Sequence, residues 1–230
     1  MSEFFGELYL RSTRPFLVDQ VTEAEARFLR HNLPDGRWLD LGCGHGRHLA
    51  HLGGLGVDRD QLSLREARSH GAATRADFTA LPFRDESFEG GWCWYNSLGT
   101  LEDAVVPRVL AEVRRVMKPG AVFIIQGTHP ARAREQPHAG FDGTLSNGDH
   151  LVEAASYDTV RRRDEIRRTL RGAEGRTLQA DFFIRYYDLD EWRSLLADAS
   201  FEVRWSVGSV DGAPVEESST DLIVGAQKTR

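Results

Sequence analysis

Short apolar runs and helix-like segments alternate along most of this chain. The apolar runs that begin at Trp38, Leu55 and Ala121 each have the length of one buried strand. Between them, residues 61–70 form a polar-capped helical segment, and residues 106–117 repeat valine and leucine at helical spacing. This alternation predicts an α/β fold, in which helices cover a mostly parallel sheet.

The first 34 residues show helical rather than strand patterns. Phe4, Phe5 and Tyr9 belong to an apolar, aromatic patch near the start. Thr22 and Glu25 have the spacing of a capping box and predict the start of a second helix, which Leu33–Gly36 ends. We therefore expect an N-terminal helical lid over residues 1–34, packed on a domain that spans residues 35–230.

Residues from about 130 to 186 interrupt the alternation. Residues 131–149 are rich in glycine, proline, asparagine and histidine, which predicts a mobile loop. Three later segments have partial period-two patterns with turn residues between them, over residues 150–159, 164–171 and 176–185. We expect three antiparallel strands that form a cap over a functional site.

An arginine cluster lies within this insertion and has two interpretations. The side chains of Arg161–Arg163, Arg167 and Arg168 would suit phosphate or nucleic acid. The neighbouring acids, among them Asp158 and Glu165, instead favour a solvated strand face whose charges cancel. Beyond the insertion, the capping box Asp188–Glu191 predicts a helix, and two further strands are expected near residues 201–207 and 221–226.

Composition narrows the function classes. The 230 residues are 40% hydrophobic, which is enough for a core, and no apolar run approaches the ~20 residues of a membrane span. The formal net charge of −6 gives no general attraction to nucleic acid, so a small-molecule substrate is favoured. Cys43 and Cys93 lack metal-ligand spacing, and no signal-peptide pattern precedes them. We expect no metal site and a cytoplasmic protein.

A glycine-rich turn after the first strand carries the main chemical pattern. Gly42, Gly44 and Gly46 alternate, so the backbone can turn tightly and stay open beside a ligand. A dinucleotide fingerprint would need glycine at position 47, where the chain has Arg47. The acid before the turn, Asp40, instead suits a ligand with a cationic amino-acid end.

Three segments together resemble the class I S-adenosylmethionine-dependent methyltransferases. Residues 39–46, Leu-Asp-Leu-Gly-Cys-Gly-His-Gly, look like the first motif of that family. Residues 77–88 match its Asp-x-x-x-Leu-Pro-Phe-x-Asp-x-Ser-Phe segment, after which Glu89 replaces the usual Asp, and residues 115–120 match its Arg-Val-Met-Lys-Pro-Gly pattern. The resemblance implies a Rossmann-like, seven-stranded, mostly parallel sheet with an antiparallel last strand.

The cofactor residues follow from this resemblance and from spacing. Asp58 lies eighteen positions after Asp40 and is placed either to accept the two ribose hydroxyls or to cap the next helix; the nearby Asp60 makes the ribose role the favoured one. The resemblance implies that Asp77 accepts from the adenine amino group and that the Phe78 backbone faces the ring. The remaining candidate cofactor contacts are Tyr9, Arg14, Gly42, Cys43, Gly44, Arg59, Tyr95 and Asn96.

The acceptor side is expected where strands end. Tyr95, Asn96 and Ser97 follow the fourth strand, and His129 follows the fifth, where ligands of open α/β sheets bind. His129 is a candidate general base, although a histidine here could equally be a surface residue, and Tyr95 is a candidate catalytic or substrate contact. The resemblance places Arg185 and Tyr187, and the lid residue Tyr9, near the substrate.

Together these patterns predict an enzyme that transfers the methyl group of S-adenosylmethionine to nitrogen or oxygen of a small molecule, leaving S-adenosylhomocysteine. Positioning can supply most of the rate, because the sulfonium group already activates the methyl. Two other classes stay open: a methyltransferase that acts on RNA or protein through the arginine cluster, and a cofactor-binding module without catalysis. The expected assembly is a monomer or a homodimer.

Overall fold

The computed structural model describes residues 4–135 and 140–229 and contains two sheets. The helices are α1 (Glu7–Ser12), α2 (Asp19–Asn32), α3 (Leu49–Leu52), α4 (Gln61–His70), α5 (Val106–Val116), α6 (Pro130–Glu135) and α7 (Leu189–Asp198). The strands are β1 (Trp38–Leu41), β2 (Leu55–Asp58), β3 (Ala72–Arg75), β4 (Phe88–Cys93), β5 (Met117–Thr128), β6 (Phe141–Thr144), β7 (His150–Asp158), β8 (Arg163–Arg171), β9 (Thr177–Arg185), β10 (Phe201–Val207) and β11 (Asp221–Lys228).

The main sheet has seven strands in the order β10-β11-β5-β4-β1-β2-β3. Strand β1 pairs in parallel with β2 and β4, and β11 lies antiparallel between β5 and β10. This is the mostly parallel sheet with an antiparallel last strand that the sequence predicts. The carboxyl ends of β1, β2 and β4 meet at one edge, where α/β proteins bind ligands.

Large apolar side chains fill both faces of this sheet. Helix α5 buries Val109, Leu110 and Val113 on one face, as its helical repeat predicts. On the other face, Trp92 and Trp94 pack against Phe28 and Leu29 of α2. Both tryptophans are core residues, and their positions hold α2 against the strands that carry the glycine turn.

The first helix after the glycine turn begins later than expected. The pattern indicated a helix starting near His45 and running over residues 47–51, but α3 starts at Leu49 with His48 as its N-cap. The reason is conformational, since Gly42, Gly44 and Gly46 all have positive φ angles of 86°, 53° and 85°, which no helix residue adopts. The turn is therefore a longer open loop than the sequence suggested.

Helix α2 also begins earlier than the capping box at Thr22 indicates. It starts at Asp19 with Val18 as N-cap, and Thr22 lies within its first turns. The Thr22 hydroxyl accepts from Arg47 Nη1 at 3.1 Å, and Glu25 is buried rather than capping. A threonine and a glutamate three residues apart thus serve a tertiary contact here, which sequence spacing alone does not distinguish from a cap.

The insertion forms the second sheet, with strand order β6-β7-β8-β9. The three expected strands correspond to β7, β8 and β9. The expected loop over residues 131–149 is wrong in part, because it contains α6 and β6; residues 136–139 of that stretch lie outside the described residues. Strand β6 forms by pairing with β7, a long-range contact that the polar composition of the segment does not predict.

The N-terminal segment, residues 4–34, is joined to the second sheet by charged and aromatic contacts. The Arg11 guanidinium donates to both carboxylate oxygens of Asp149, at 2.8 and 2.5 Å, and also to Glu174. The rings of Phe4 and Phe182 stack with centroids 3.7 Å apart. These contacts hold the first helix against β9, above the ligand-binding edge of the main sheet.

The arginine cluster of the second sheet is matched by acids. Each of its five arginines forms an ion pair: Arg161 with Asp158, Arg162 with Asp188, Arg163 with Glu165, Arg167 with Asp181, and Arg168 with Glu153. This agrees with the self-neutralising strand face rather than with an unpaired basic patch.

Within the described ranges, no helix combines the length and apolar character needed to cross a membrane. The same residues contain no group of three or more histidine, cysteine or acidic side chains arranged to hold a metal ion. Cys43 and Cys93 are both buried free thiols.

A glycine in β4 sets how closely the central strands pack. A Cβ added to Gly91 would lie 2.7 Å from the carbonyl oxygen of Leu39 and 2.9 Å from the Met117 methyl. We expect Gly91→Ala to lower the free energy of unfolding by about 1–3 kcal/mol, because β1 must move. Urea unfolding measures this.

Gly71→Ala is the matched control. Gly71 also has an extended φ, of 178°, and an added Cβ there meets Leu49 at an ordinary 3.4 Å. We expect a change within about 0.5 kcal/mol. Equal effects of the two substitutions would contradict the packing argument.

Candidate active site

A cavity of about 230 Å³ opens at the carboxyl edge of β1, β2 and β4. The glycine turn and the residues that follow β4 form its floor. Its roof comes from the N-terminal segment and from the end of β9. The lining residues are Phe4, Phe5, Tyr9, Thr13, Asp40, Gly42, Cys43, Gly44, His45, Arg47, His48, Asp58, Asp60, Ser63, Trp94, Tyr95, Asn96, Ser97, Thr100, Thr128, Arg168, Phe182, Ile184 and Tyr186.

Many of the residues that the sequence nominates meet in this cavity. Those that line it are Tyr9, Asp40, Gly42, Cys43, Gly44, Asp58, Tyr95, Asn96 and Ser97. They come from four separate parts of the chain, and the parallel sheet brings them to one edge. The cavity therefore unites the nominated cofactor side with the nominated acceptor side.

Asp58 organises the floor. Its carboxylate accepts from the backbone N–H of Gly44 at 2.9 Å and from that of Asp60 at 2.9 Å. Asp60, not Asp58, caps α4 by accepting from Ser63 N at 2.6 Å. Asp60 therefore fills the helix-capping role that was the alternative for Asp58. The Asp58 carboxylate lies at the cavity surface and has further lone pairs that can accept hydrogen bonds.

Asp40 is a buried acid at the base of the glycine turn. It is 2% exposed, and its Oδ2 atom has no hydrogen-bond partner among the described residues. Burial raises the pKa of this carboxyl to about 8, while the positive charge of Arg47 works in the opposite direction. Such a group is stabilised when a cation is placed beside it.

Arg47 is the cation of the floor, and Glu25 of α2 fixes it in place. Arg47 Nη1 donates to the Glu25 carboxylate and to Thr22, and His48 Nε2 lies 3.0 Å from Glu25. Burial opposes the charge on Glu25, but the bonds from His48 and Arg47 outweigh it and lower the pKa to about 2. Burial lowers the pKa of His48 to about 4, so its neutral ring donates to the carboxylate.

The residues after β4 form a strained turn that is tied to β5. Tyr95 and Asn96 both have φ angles of 58°, a left-handed conformation that is uncommon outside glycine. The amide of Tyr95 donates to Gln126 Oε1 at 2.7 Å. Asn96 and Thr128 bond reciprocally, with Asn96 Nδ2 donating to Thr128 Oγ1 and Thr128 N donating to Asn96 Oδ1. These bonds hold the Tyr95 ring over the cavity.

The roof has a cation of its own. Arg168 of β8 donates to Thr13 Oγ1 at 2.6 Å and pairs with the buried Glu153. Its guanidinium lies 5.0 Å from the centroid of the Phe4 ring. The roof is therefore built from two distant parts of the chain that contact each other through one arginine.

Sequence reasoning missed part of this roof although a pattern was present. Side chains of a strand alternate between its two faces, and Phe182, Ile184 and Tyr186 all line the cavity. Arg185 and Tyr187 are the odd-numbered neighbours, and neither lines it. Arg185 is buried beside Glu191, while the Tyr187 hydroxyl donates to Asp103 at 2.8 Å. The period of two indicates Tyr186 as the residue that faces the site.

Other nominated residues also lie away from the cavity. Arg14 is exposed and pairs with Glu66 at 2.8 Å. Asp77 is exposed, and its carboxylate accepts from the backbone and hydroxyl of Thr79. His129 lies at the end of β5, where its Nδ1 accepts from Ala131 N at 3.3 Å and burial lowers its pKa. Arg59 and Phe78 do not line the cavity either.

Comparisons with known proteins identify a domain within this chain and proteins that share its fold. Residues 39–120 match the family model described as a methyltransferase domain. A curated relative, 24-methylenesterol C-methyltransferase 2 of Oryza sativa subsp. japonica, is 29% identical over 165 residues, which are 64% of this chain and 43% of that protein. The chain spans about half or less of the length of the curated relatives it first matches.

Two solved structures share the whole fold. The CcbJ methyltransferase of Streptomyces caelestis superposes with a TM-score of 0.79 at 18% identity, covering 96% of each chain. CalS10, an amino pentose methyltransferase of Micromonospora echinaspora solved with S-adenosylmethionine bound, gives 0.67 at 18% identity, covering 98% of each chain. Residues 39–120 therefore carry a methyltransferase domain, and the described chain has the fold of methyltransferases of known structure.

Proposed function

We propose that this protein transfers the methyl group of S-adenosylmethionine to a small-molecule acceptor bound under its roof. The observation that carries the proposal is the charge pattern of the floor. A buried carboxylate with one unpartnered oxygen, Asp40 Oδ2, and a fixed guanidinium, Arg47, line the same cavity. The amino-acid end of the cofactor carries one ammonium and one carboxylate, so it complements both groups.

The residues at the floor fit this cofactor. Asp40 would accept from the ammonium group, which relieves the cost of its burial. Arg47 uses Nη1 in the bonds found within the described residues, so its remaining N–H groups would bind the carboxylate. An added Cβ at Gly44 would meet nothing within 4 Å, which indicates open space beside the backbone there. Asp58 would accept from the ribose hydroxyls.

The chain's own contribution to the reaction is positioning. When bound, S-adenosylmethionine supplies a methyl group activated by the adjacent sulfonium charge. The roof residues Phe4, Phe182 and Ile184 would exclude water from the bound ligands, and Tyr95 and Tyr186, which also line the cavity, would contact the acceptor. Correct alignment of two reactants accounts for up to roughly 7–11 kcal/mol of barrier reduction. His129 lies outside the cavity, so we assign it no proton transfer.

The acceptor is proposed to be small because the cavity is closed above by the N-terminal segment and the second sheet. The paired arginines of the second sheet offer little to a polymeric nucleic acid. The relatives act on different acceptors, a methylenesterol in one case and an amino pentose in another, so none transfers directly to this chain. We propose nitrogen or oxygen methylation in a reducing, cytoplasmic setting.

The direct test is transfer of label. We expect the protein, incubated with S-adenosylmethionine labelled in the methyl group and a library of small metabolites, to move label into a low-molecular-weight product. Scintillation counting after extraction measures it, with Asp58→Ala as the inactive control. Binding of the cofactor without label in any product would support the cofactor-binding module instead.

A second prediction concerns Arg47. We expect Arg47→Gln to weaken binding of S-adenosylhomocysteine tenfold or more, because a charged hydrogen bond is lost. Binding of 5′-methylthioadenosine, which lacks the amino-acid end, should change little. Titration calorimetry measures the affinity of each variant for both ligands. The ratio of the two affinities is the readout, because a general loosening of the fold would weaken both ligands alike.

Arg14 and Arg27 sharpen this test. The sequence nominated Arg14, whereas the structure pairs it with Glu66 at the surface. Arg27 is an exposed arginine of α2 and serves as the control. If Arg14→Gln shifts the ratio and Arg47→Gln does not, Arg47 is not the carboxylate contact.

A third prediction concerns Asp40 and pH. Its pKa is raised to about 8 in the folded chain from an ordinary value of 3.8, so the unfolded chain loses this proton first as pH rises. Stability from this group therefore falls between pH 4 and pH 8. Asp40→Asn should stabilise the ligand-free protein increasingly over that range, by at least about 1.4 kcal/mol at pH 8.

The same substitution should weaken S-adenosylhomocysteine binding, since the ammonium loses a charged partner. Thermal unfolding at pH 5 and pH 8 checks the first effect, and calorimetry checks the second. A stability difference that does not change with pH would contradict the raised pKa.

A further inference from the structure

Three hydroxyl-bearing residues form one wall of the cavity, beside the glycine turn, where a Cβ added to Gly42 would lie 2.9 Å from Ser97 Oγ. Ser97 and Thr100 lie in the short 3₁₀ turn that follows β4, and Tyr186 follows β9. The two parts touch closely, since a Cβ added to Gly99 would lie 2.5 Å from the carbonyl oxygen of Arg185. All three hydroxyl-bearing residues line the cavity.

Each of these hydroxyls already directs its proton to the protein. Ser97 Oγ donates to the carbonyl of Trp94 at 2.9 Å, and Thr100 Oγ1 donates to that of Ser97 at 2.8 Å. The phenol of Tyr186 donates to the buried carboxylate of Asp164 at 2.7 Å. A hydroxyl has one proton and two lone pairs, so what remains for a ligand is acceptor capacity alone.

Tyr186 is fixed in this role. Burial, together with the charge of Asp164, raises the pKa of the phenol well above its usual range, so it stays neutral and keeps its proton on the Asp164 side. Tyr186 is 3% exposed and Asp164 is fully buried. Because both side chains are buried, neither can turn toward solvent, and the hydrogen bond from the phenol to Asp164 is kept.

Because the three hydroxyls offer only hydrogen-bond acceptors, they favour some classes of ligand over others. At these three hydroxyls a carboxylate or phosphate would face other acceptors, and a hydrocarbon would leave buried lone pairs unpaired, which costs free energy. A ligand that donates hydrogen bonds fits. Among donors, an amine attacks through a lone pair of its own, whereas a hydroxyl must also lose its proton, and the three hydroxyls of the wall provide no base for that step.

We propose that the methyl acceptor of this protein is an amine whose N–H groups donate to Ser97, Thr100 and Tyr186. The inference rests on the proposed function. The amine loses any extra proton to solvent before it attacks. Its nitrogen lone pair then forms the new N–C bond as the S–C bond breaks and that electron pair passes to sulfur. The methylated ammonium product keeps its protons and returns the excess one to solvent after release.

The test uses the protein saturated with S-adenosylhomocysteine and three matched probe series. Benzyl, cyclohexyl and pyranosyl compounds are each taken as the amine, the alcohol and the carboxylate. By calorimetry, we expect at least one amine to bind tenfold or more tightly than its carboxylate counterpart. With methyl-labelled S-adenosylmethionine, label should enter the amine and not the alcohol.

Variants assign this preference to the wall. Tyr186→Phe removes one acceptor and should reduce the amine's advantage about tenfold. Asp164→Asn can present an N–H to Tyr186 and release its phenol proton into the cavity, so it should shift preference toward the carboxylate. Tyr157→Phe is the control, because Tyr157 pairs with Asp164 across β7 and β8 but does not line the cavity. Affinity for S-adenosylhomocysteine should stay within twofold in all three.

The outcomes separate this inference from the function it rests on. Failure of the native protein to bind S-adenosylhomocysteine would overturn the proposed function. If S-adenosylhomocysteine binds normally, three results would each overturn the amine proposal alone. They are equal binding of the amines and their carboxylates, entry of label into the alcohol, and an unchanged preference in Tyr186→Phe.

Discussion

One buried carboxylate connects the parts of this structure that form its site. Glu25 lies on α2, in the N-terminal segment, and binds both Arg47 and His48 at the end of the glycine turn. A buried charge of this kind persists only with such partners, and removing one of them leaves the others uncompensated. The contacts of Glu25 therefore hold α2 against the glycine turn and fix the Arg47 side chain at the cavity.

The sequence predicts the elements of this fold well where local patterns decide them. Strand β2 and helix α4 have the bounds expected, because Asp60 caps the helix and a glycine ends it. The partners of the charged side chains were less predictable. The sequence nominated Arg14 and not Arg47, and only the packing of α2 against the glycine turn shows that Arg47 is the one that lines the cavity.

The ion pairs of the second sheet also could not be assigned from the sequence. The sequence favoured a self-neutralising face over a phosphate-binding one, and the ion pairs agree, but it did not identify the acid that each arginine meets, such as Glu153 for Arg168. Register decides such pairs, and a sequence gives register only when one face is clearly apolar. The alternation through Phe182 and Ile184 does give it, and that parity extends to Tyr186 rather than to Arg185 or Tyr187.

The left-handed turn at Tyr95 and Asn96 ties the floor of the cavity to the main sheet, whereas the roof is held by other contacts. Its reciprocal bonds to Thr128 and Gln126 make the floor part of the main sheet, so few side chains there can change without disturbing strand ends. The roof is built from separate segments of the chain, held together by side-chain contacts such as the partly buried ion pair of Arg11 with Asp149. Diversification within such an architecture would proceed through the roof, leaving the machinery that handles the shared cofactor untouched while new acceptors are explored.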